Sequence, residues 1–172
     1  MSEIDLYLVE PRGFCAGVRR AIGIVEEALA KFGAPVYVRH EIVHNKYVIK
    51  SLIKKGAIFI DEIDEVKDNR PVIFSAHGVA TEVVDKANQM GLNYIDATCP
   101  LVKKVHIEIR KFYEENLEII IIGKKDHPEI VGTRGQILGS QKVHIINSVN
   151  EAEALEIDHD AKVGFVTQTT LS

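Results

Sequence analysis

The chain has 172 residues, 46% of them hydrophobic and 27% charged, with 21 Lys and Arg against 25 Asp and Glu for a formal net charge of −4. That balance excludes a disordered tail, a collagenous repeat and a general nucleic-acid or polyanion binder, so any anion must be gripped by a local site. The length admits one ample domain or two small ones.

The first five residues carry two acids and no basic stretch, so no signal or transit peptide is expected. Residues 6–9 then read as a strand. Ala21, Ile24, Val25, Ala28 and Leu29 follow the helical i, i+3, i+4 pattern, and Gly33-Ala34-Pro35 stops it. Further strands are expected at 36–38, 57–60, 72–74, 93–95, 118–122, 143–146 and 163–166. Val102, Val105, Ile109 and Phe112 predict another amphipathic helix after Cys99. The run of isoleucines at 119–122 suits a strand covered on both faces and is far too short to span a membrane. Strands alternating with helices predict an α/β fold built on parallel sheets.

A faint internal repeat accompanies this alternation. Cys15 and Cys99 each stand between an expected strand and a helix, and His44 and His127 follow them at nearly equal intervals. Two similar α/β units are therefore expected, 1–98 and 99–172. No Gly/Ser/Pro linker separates them.

In open parallel sheets, ligands sit beyond the carboxyl ends of the strands. Cys15, His44, His77, Cys99, His127, Glu129, Thr169 and Thr170 all fall in loops that follow expected strands. A cysteine at a helix N-terminus has a stabilised thiolate, which suits a metal or cluster. The alternatives are a small buried hydrophobe, a disulfide, or a Cys₂His₂ zinc site, for which the usual short ligand spacings are missing. With only two cysteines and no export signal, a reducing cytoplasm is expected. Three histidines expected at helix starts make an anion pocket, against a reading as caps or solvated residues. Glu129 is a proton donor if its pocket raises its pKa, or else a favourable first-turn acid. Thr169 and Thr170 are site hydroxyls or ordinary strand-end residues. His40, His106, His144 and His159 read as structural or exposed.

Several stretches together carry a family resemblance: Pro-Arg-Gly-Phe-Cys-Ala-Gly-Val (11–18), Tyr-Val-Arg-His-Glu-Ile-Val-His-Asn (37–45), Phe-Ser-Ala-His-Gly-Val (74–79) and Asp-Ala-Thr-Cys-Pro-Leu-Val (96–102). They continue with His-Pro-Glu (127–129), Gly-Thr (132–133), Gln136 and Thr-Gln-Thr-Thr-Leu-Ser (167–172). In this order the chain resembles the LytB (IspH) family of 4-hydroxy-3-methylbut-2-enyl diphosphate reductases. The resemblance implies a trefoil of three α/β domains around a [4Fe–4S] cluster held by one cysteine from each. It implies reductive removal of the hydroxyl of an allylic diphosphate, giving isopentenyl and dimethylallyl diphosphates, with flavodoxin or ferredoxin as electron donor. By position Cys15 and Cys99 resemble two cluster ligands, and His44, His77 and His127 resemble diphosphate-binding groups. Glu129 resembles the proton-relay acid, with His127 also near the hydroxyl end. Thr169 resembles the group that holds the substrate alcohol, and Thr170 lies beside it. The sequence stops within or at the end of the family's second domain. The third domain and its cysteine are therefore not expected in these residues, whether the chain is a piece of a longer protein, a degraded gene product or one part of a split enzyme, and strand 6–9 is open to assignment to that unit. The alternative is a non-catalytic domain that binds a diphosphate or a partner.

Overall fold

Helix α1 forms over Ala16–Phe32, burying Ala21, Val25 and Ala28 along one stripe. Gly33, at φ 72°, supplies the positive-φ turn that ends it. The computed structural model describes residues 5–10, 12–139 and 142–171, so Pro11 and Ser172, the outer ends of two motif stretches, lie outside the described residues.

Four strands follow: β1 (Val36–Arg39), β2 (Ala57–Ile60), β3 (Val72–Phe74) and β4 (Tyr94–Asp96). They form one parallel sheet in the order β2-β1-β3-β4, with α2 (Lys46–Lys54) and α3 (Thr81–Gln89) in the crossovers. The second half repeats the plan. Helix α4 (Pro100–Glu114) leads into β5 (Glu118–Ile122), α5 (Pro128–Arg134), β6 (Val143–Ile146), α6 (Val149–Glu153) and β7 (Val163–Thr167). Its sheet is parallel too, in the order β6-β5-β7. Two parallel-sheet α/β units are thus present. No helix among the described residues is long and apolar enough to cross a membrane.

One expected strand is missing. Residues 6–9 are not in a strand, and Leu6, Tyr7, Leu8 and Val9 are all exposed. β-rich composition alone does not make a strand, because a ladder needs a partner, and the first sheet consists of β2, β1, β3 and β4 without this segment. Cys15 accordingly follows an unpaired segment, not a strand.

Each sheet has a large aliphatic core. Val36, Val38 and Ile73 pack under α1 and α2 in the first, while Ile119, Ile121, Ile109 and Ile130 close the second. Each fully buried aliphatic of this kind contributes ~1.5–3 kcal/mol relative to an exposed one.

The strand order decides where a site can form. In the first sheet the chain leaves β1 to one side for β2, then returns to its other side for β3. In the second it leaves β5 for β6 and returns beside β5 as β7. Each reversal opens a crevice at the strands' carboxyl ends. Residues 40–45 and 75–80 flank the first crevice, and 123–127 and 168–170 flank the second.

Backbone hydrogen bonds continue past the strand ends and stiffen these loops. Ala76 N donates to Ile42 O at 3.3 Å, and Cys99 N donates to Ala76 O at 2.9 Å. Gln168 N donates to Ile122 O at 2.8 Å. Between the units, Thr81 N donates to Gly135 O at 2.9 Å and Gln136 Nε2 donates to Val79 O at 2.7 Å, while Gln136 Nε2 also donates to Gly132 O of its own unit at 2.9 Å.

His106 is structural, as expected. It is buried in α4 against Gly78, its Nε2 has no partner, and burial holds its pKa down at about 4. The unfolded chain takes up this proton near the ordinary value of 6.5, but the fold does so only near 4. The stability it contributes is therefore complete above pH ~6.5 and is lost as the pH falls toward 4. Thermal melts from pH 7 to 4.5 should show this loss, and His106→Leu should make the decline shallower. An unchanged slope in the variant would remove His106 from the account.

Candidate active site

Both cysteines stand at helix starts. Cys15 is the N-cap of α1, its Sγ accepting from Val18 N at 3.5 Å. Cys99 is the N-cap residue of α4, and Pro100 takes the first helical position, where no backbone N–H is needed. The Cys99 side chain makes no capping hydrogen bond to α4, and the nearby Asp96 does not supply one. Asp96 accepts instead from the backbone N–H (2.9 Å) and hydroxyl of Thr98, because the turn brings those donors nearer than the helix N–H groups. Its carboxyl is held below the usual range by Lys103 and Thr98, which outweigh its own burial.

The sulfurs come together over Gly17. A Cβ built there would lie 2.7 Å from Cys99 Sγ and 3.9 Å from Cys15 Sγ, so only a glycine leaves room for them. Two cysteine sulfurs at two helix N-termini, both against a residue without a side chain, fit two corners of an iron–sulfur cluster. The chain holds only these two cysteines, and a four-iron cluster takes more than two thiolate ligands.

The expected histidines converge, though not by the route expected. His127 is the N-cap of α5, but α2 is capped by Asn45 beside His44, and His77 follows β3 several residues before α3. What unites them is that the loops at the two crevices face each other. The ring centroids of His44 and His77 are 4.3 Å apart, those of His44 and His127 5.0 Å, and those of His77 and His127 5.4 Å.

Ligand nitrogens of this trio lie within 4.8 Å of one another, close enough for a metal ion. The tautomers argue otherwise. His127 Nδ1 accepts the Glu129 backbone N–H at 3.1 Å, and a backbone N–H can only donate. The neutral ring therefore carries its proton on Nε2, which makes it a donor and not a ligand. That proton points to His44 Nε2 at 3.0 Å, so His44 accepts there. His127 thus caps a helix with one nitrogen and serves the pocket with the other. Burial, reinforced by His44 and His127, presses His77 down to about 4, and burial also lowers His127. Two rings held toward the neutral form, with an N–H donor on His127 Nε2, suit a ligand that brings its own negative charge.

Glu129 is 1% exposed. Its two oxygens accept from Thr169, from the backbone N–H at 2.5 Å and from Oγ1 at 2.9 Å. Burial raises its pKa, and the two Thr169 bonds only partly oppose this. Such a carboxyl holds its proton to a higher pH than a solvated one.

Cys15, Gly17, His44, His77, Cys99, Glu129, Thr169 and Thr170 line one cavity of about 490 Å³, with His127 against its histidine wall. The structure thus brings seven of the eight candidate site residues to this cavity and packs the eighth, His127, against two of them. Gly17 and Gln168 were missed, the first because a glycine announces no chemistry and the second because its role depends on a cross-strand contact. The remaining histidines stay outside. His144 Nε2 lies 2.6 Å from Glu118 Oε1, His159 is exposed, and His40 sits at φ 58° after β1.

A family model described as LytB protein matches residues 6–172. A 4-hydroxy-3-methylbut-2-enyl diphosphate reductase 2 from Burkholderia mallei is 54% identical over 171 residues, covering 99% of this chain and 52% of the relative. A 4-hydroxy-3-methylbut-2-enyl diphosphate reductase from a Ruegeria species is 56% identical over 169 residues, covering 98% of this chain and 53% of the relative. Among solved structures, an E-1-hydroxy-2-methyl-but-2-enyl-4-diphosphate reductase from Plasmodium falciparum superposes with a TM-score of 0.90 at 47% identity. It covers 96% of this chain, which covers 52% of it. The chain spans about half the length of the curated relatives it matches.

The geometry over Gly17 predicts that dibromobimane, which fluoresces once both arms capture thiols, bridges Cys15 and Cys99 within one chain. Gly17→Ala should cut the bridging yield, since its Cβ turns the Cys99 sulfur away, and Cys15→Ser should abolish it. Equal fluorescence from wild type and Gly17→Ala would show that the sulfurs do not meet over this residue.

Proposed function

The chain belongs to the LytB family, and on that premise we propose that it is the part of a 4-hydroxy-3-methylbut-2-enyl diphosphate reductase that carries most of the substrate-handling residues. The supporting observation is the cavity shared by two thiols at helix starts, His44, His77 and a buried carboxyl, with His127 packed against those two histidines. In this reading Cys15 and Cys99 hold a [4Fe–4S] cluster together with a cysteine from a third unit, supplied by the rest of a longer protein or by a separate chain. When bound, the cluster supplies electrons from a flavodoxin or ferredoxin and an open iron acting as a Lewis acid.

The chain's own residues do the rest. The diphosphate takes the place of His44 Nε2 as acceptor of the His127 Nε2–H, with His44 and His77 beside it. Thr169 and Glu129 sit at the alcohol end. Removal of the hydroxyl takes two electrons and two protons and releases water. Glu129, buried so that it stays protonated to a higher pH, gives its proton to the departing oxygen. His44 and His77 follow strands of the first unit, and His127, Glu129 and Thr169 come from the second, so the ligand bridges both. We take the unit boundary at Cys99. The exposed apolar segment 6–9 fits as a strand of the third unit, whose sheet would supply the ladder partner missing here. The two free cysteines fit a reducing cytoplasm.

A second reading has its own observation. With only two cysteines, this chain by itself is a diphosphate-binding domain without turnover. Anaerobic expression with iron and sulfide assays separates the readings. About four irons per chain support cluster assembly by the 172 residues, and a colourless protein that still binds diphosphate supports the second.

In a protein with the third unit restored, Glu129→Gln should fold and assemble normally while kcat falls ~10²–10⁴-fold with little change in KM. The amide keeps the shape, accepts from the Thr169 backbone N–H with its oxygen and turns its NH₂ to Thr169 Oγ1, but it cannot deliver a proton. An active Glu129→Gln enzyme with only a lowered melting temperature would leave Glu129 a purely structural role.

A further inference from the structure

Thr169 and Thr170 are neighbours, yet their hydroxyls face different demands. Thr169 Oγ1 donates to Glu129 Oε2 at 2.9 Å, which commits its proton inside the protein and leaves a lone pair for the cavity. Thr170 Oγ1 instead receives a hydrogen bond, from Gln168 Nε2 at 2.9 Å.

The direction of that bond is set independently. Gln168 Oε1 accepts the Lys124 backbone N–H at 3.1 Å, and only the carbonyl end of an amide can accept from a backbone N–H. The NH₂ end must therefore face Thr170. Gln168 has little freedom to turn over. It is buried, its backbone N–H is tied to Ile122 O at 2.8 Å, and its Cβ lies 2.9 Å from where a Cβ on Gly123 would be. With an acceptor position of Thr170 Oγ1 filled by an amide N–H, the hydroxyl proton must point elsewhere, and Thr170 lines the cavity.

We propose that Gln168 is a positioning residue that locks the Thr170 hydroxyl as a donor into the cavity, so that Thr170 grips an anionic oxygen of the ligand while Thr169 accepts from an alcohol. Two adjacent threonines thereby tell the two ends of a hydroxylated diphosphate apart. The ligand assignment rests on the diphosphate reading above, whereas the hydroxyl polarity does not.

The test has one arm for each. In the free chain, one side-chain amide proton of Gln168 should exchange slowly by NMR, and Thr170→Val should release it to fast exchange. An amide unaffected by Thr170→Val overturns the proposal whatever the pocket binds. The second arm is calorimetry with inorganic diphosphate, using His77→Asn as the control for the pocket. Gln168→Glu keeps an acceptor for Lys124 N–H but puts an acceptor where the donor was, so the Thr170 hydroxyl turns back toward it. This variant should lose about ten-fold more affinity when Thr170 is present than in a Thr170→Val background, where only the added charge is felt. Equal losses in the two backgrounds overturn the proposal. A wild-type chain that binds no diphosphate overturns the diphosphate reading, and the amide arm alone then decides the role of Gln168.

Discussion

The site depends on one close approach, that of α5 in the second unit to residues 78–81 of the first. A Cβ on Gly132 would stand 3.2 Å from the Gly78 carbonyl carbon and oxygen, and one on Gly135 would stand 2.2 Å from Ala80 Cβ. Helix and loop meet at backbone distance because neither glycine presents a side chain. Gln136 then pins the joint through its two carbonyl partners, Val79 and Gly132. The same helix begins at His127 and carries Glu129, and the same loop begins beside His77. A joint wider by one methyl group would pull the histidines of the two units apart. The packing of a helix thus decides the geometry of a polar pocket at its other end.

Burial then sets the chemistry. The apolar cores come up close beneath the pocket, and desolvation pushes His77 and His127 toward the neutral form and Glu129 toward the protonated one. A pocket tuned this way holds little charge of its own. It offers donors on the histidine side and a proton on the carboxyl side. Both agree with the reading proposed above.

The hydrogen bonds also run in fixed directions, because backbone groups anchor them. The Glu129 N–H fixes His127, and His127 fixes His44. The Lys124 N–H fixes Gln168, and Gln168 fixes Thr170. Side chains that could each donate or accept are thereby assigned one role apiece by groups with no choice. The internal repeat supplies the frame, since the crevice loops beside β1 and β5 contribute His44 and His127 in corresponding places.

Much of this was legible along the chain. Short β-rich runs located all seven strands among the described residues, and hydrophobic period located the stripes of α1 and α4, because burial in parallel sheets leaves a local mark in composition. The polar residues after those strands could be named as site candidates because carboxyl-end loops are where such folds bind ligands. The segment 6–9 misled for the converse reason: β-propensity is a property of residues, while a strand is a property of a pair. Helix starts were misassigned at His44 and His77, where Asn45 caps α2 and α3 begins only at Thr81, since which residue reaches a free N–H depends on turn geometry. The sequence by itself determined the class of fold, the repeat and the chemistry available to the rim. Only the tertiary structure decided that two crevices face each other, that Gly17 leaves room for two sulfurs, and which nitrogen or hydroxyl donates. Those outcomes rest on distances between residues remote in the chain, and no local pattern encodes a distance.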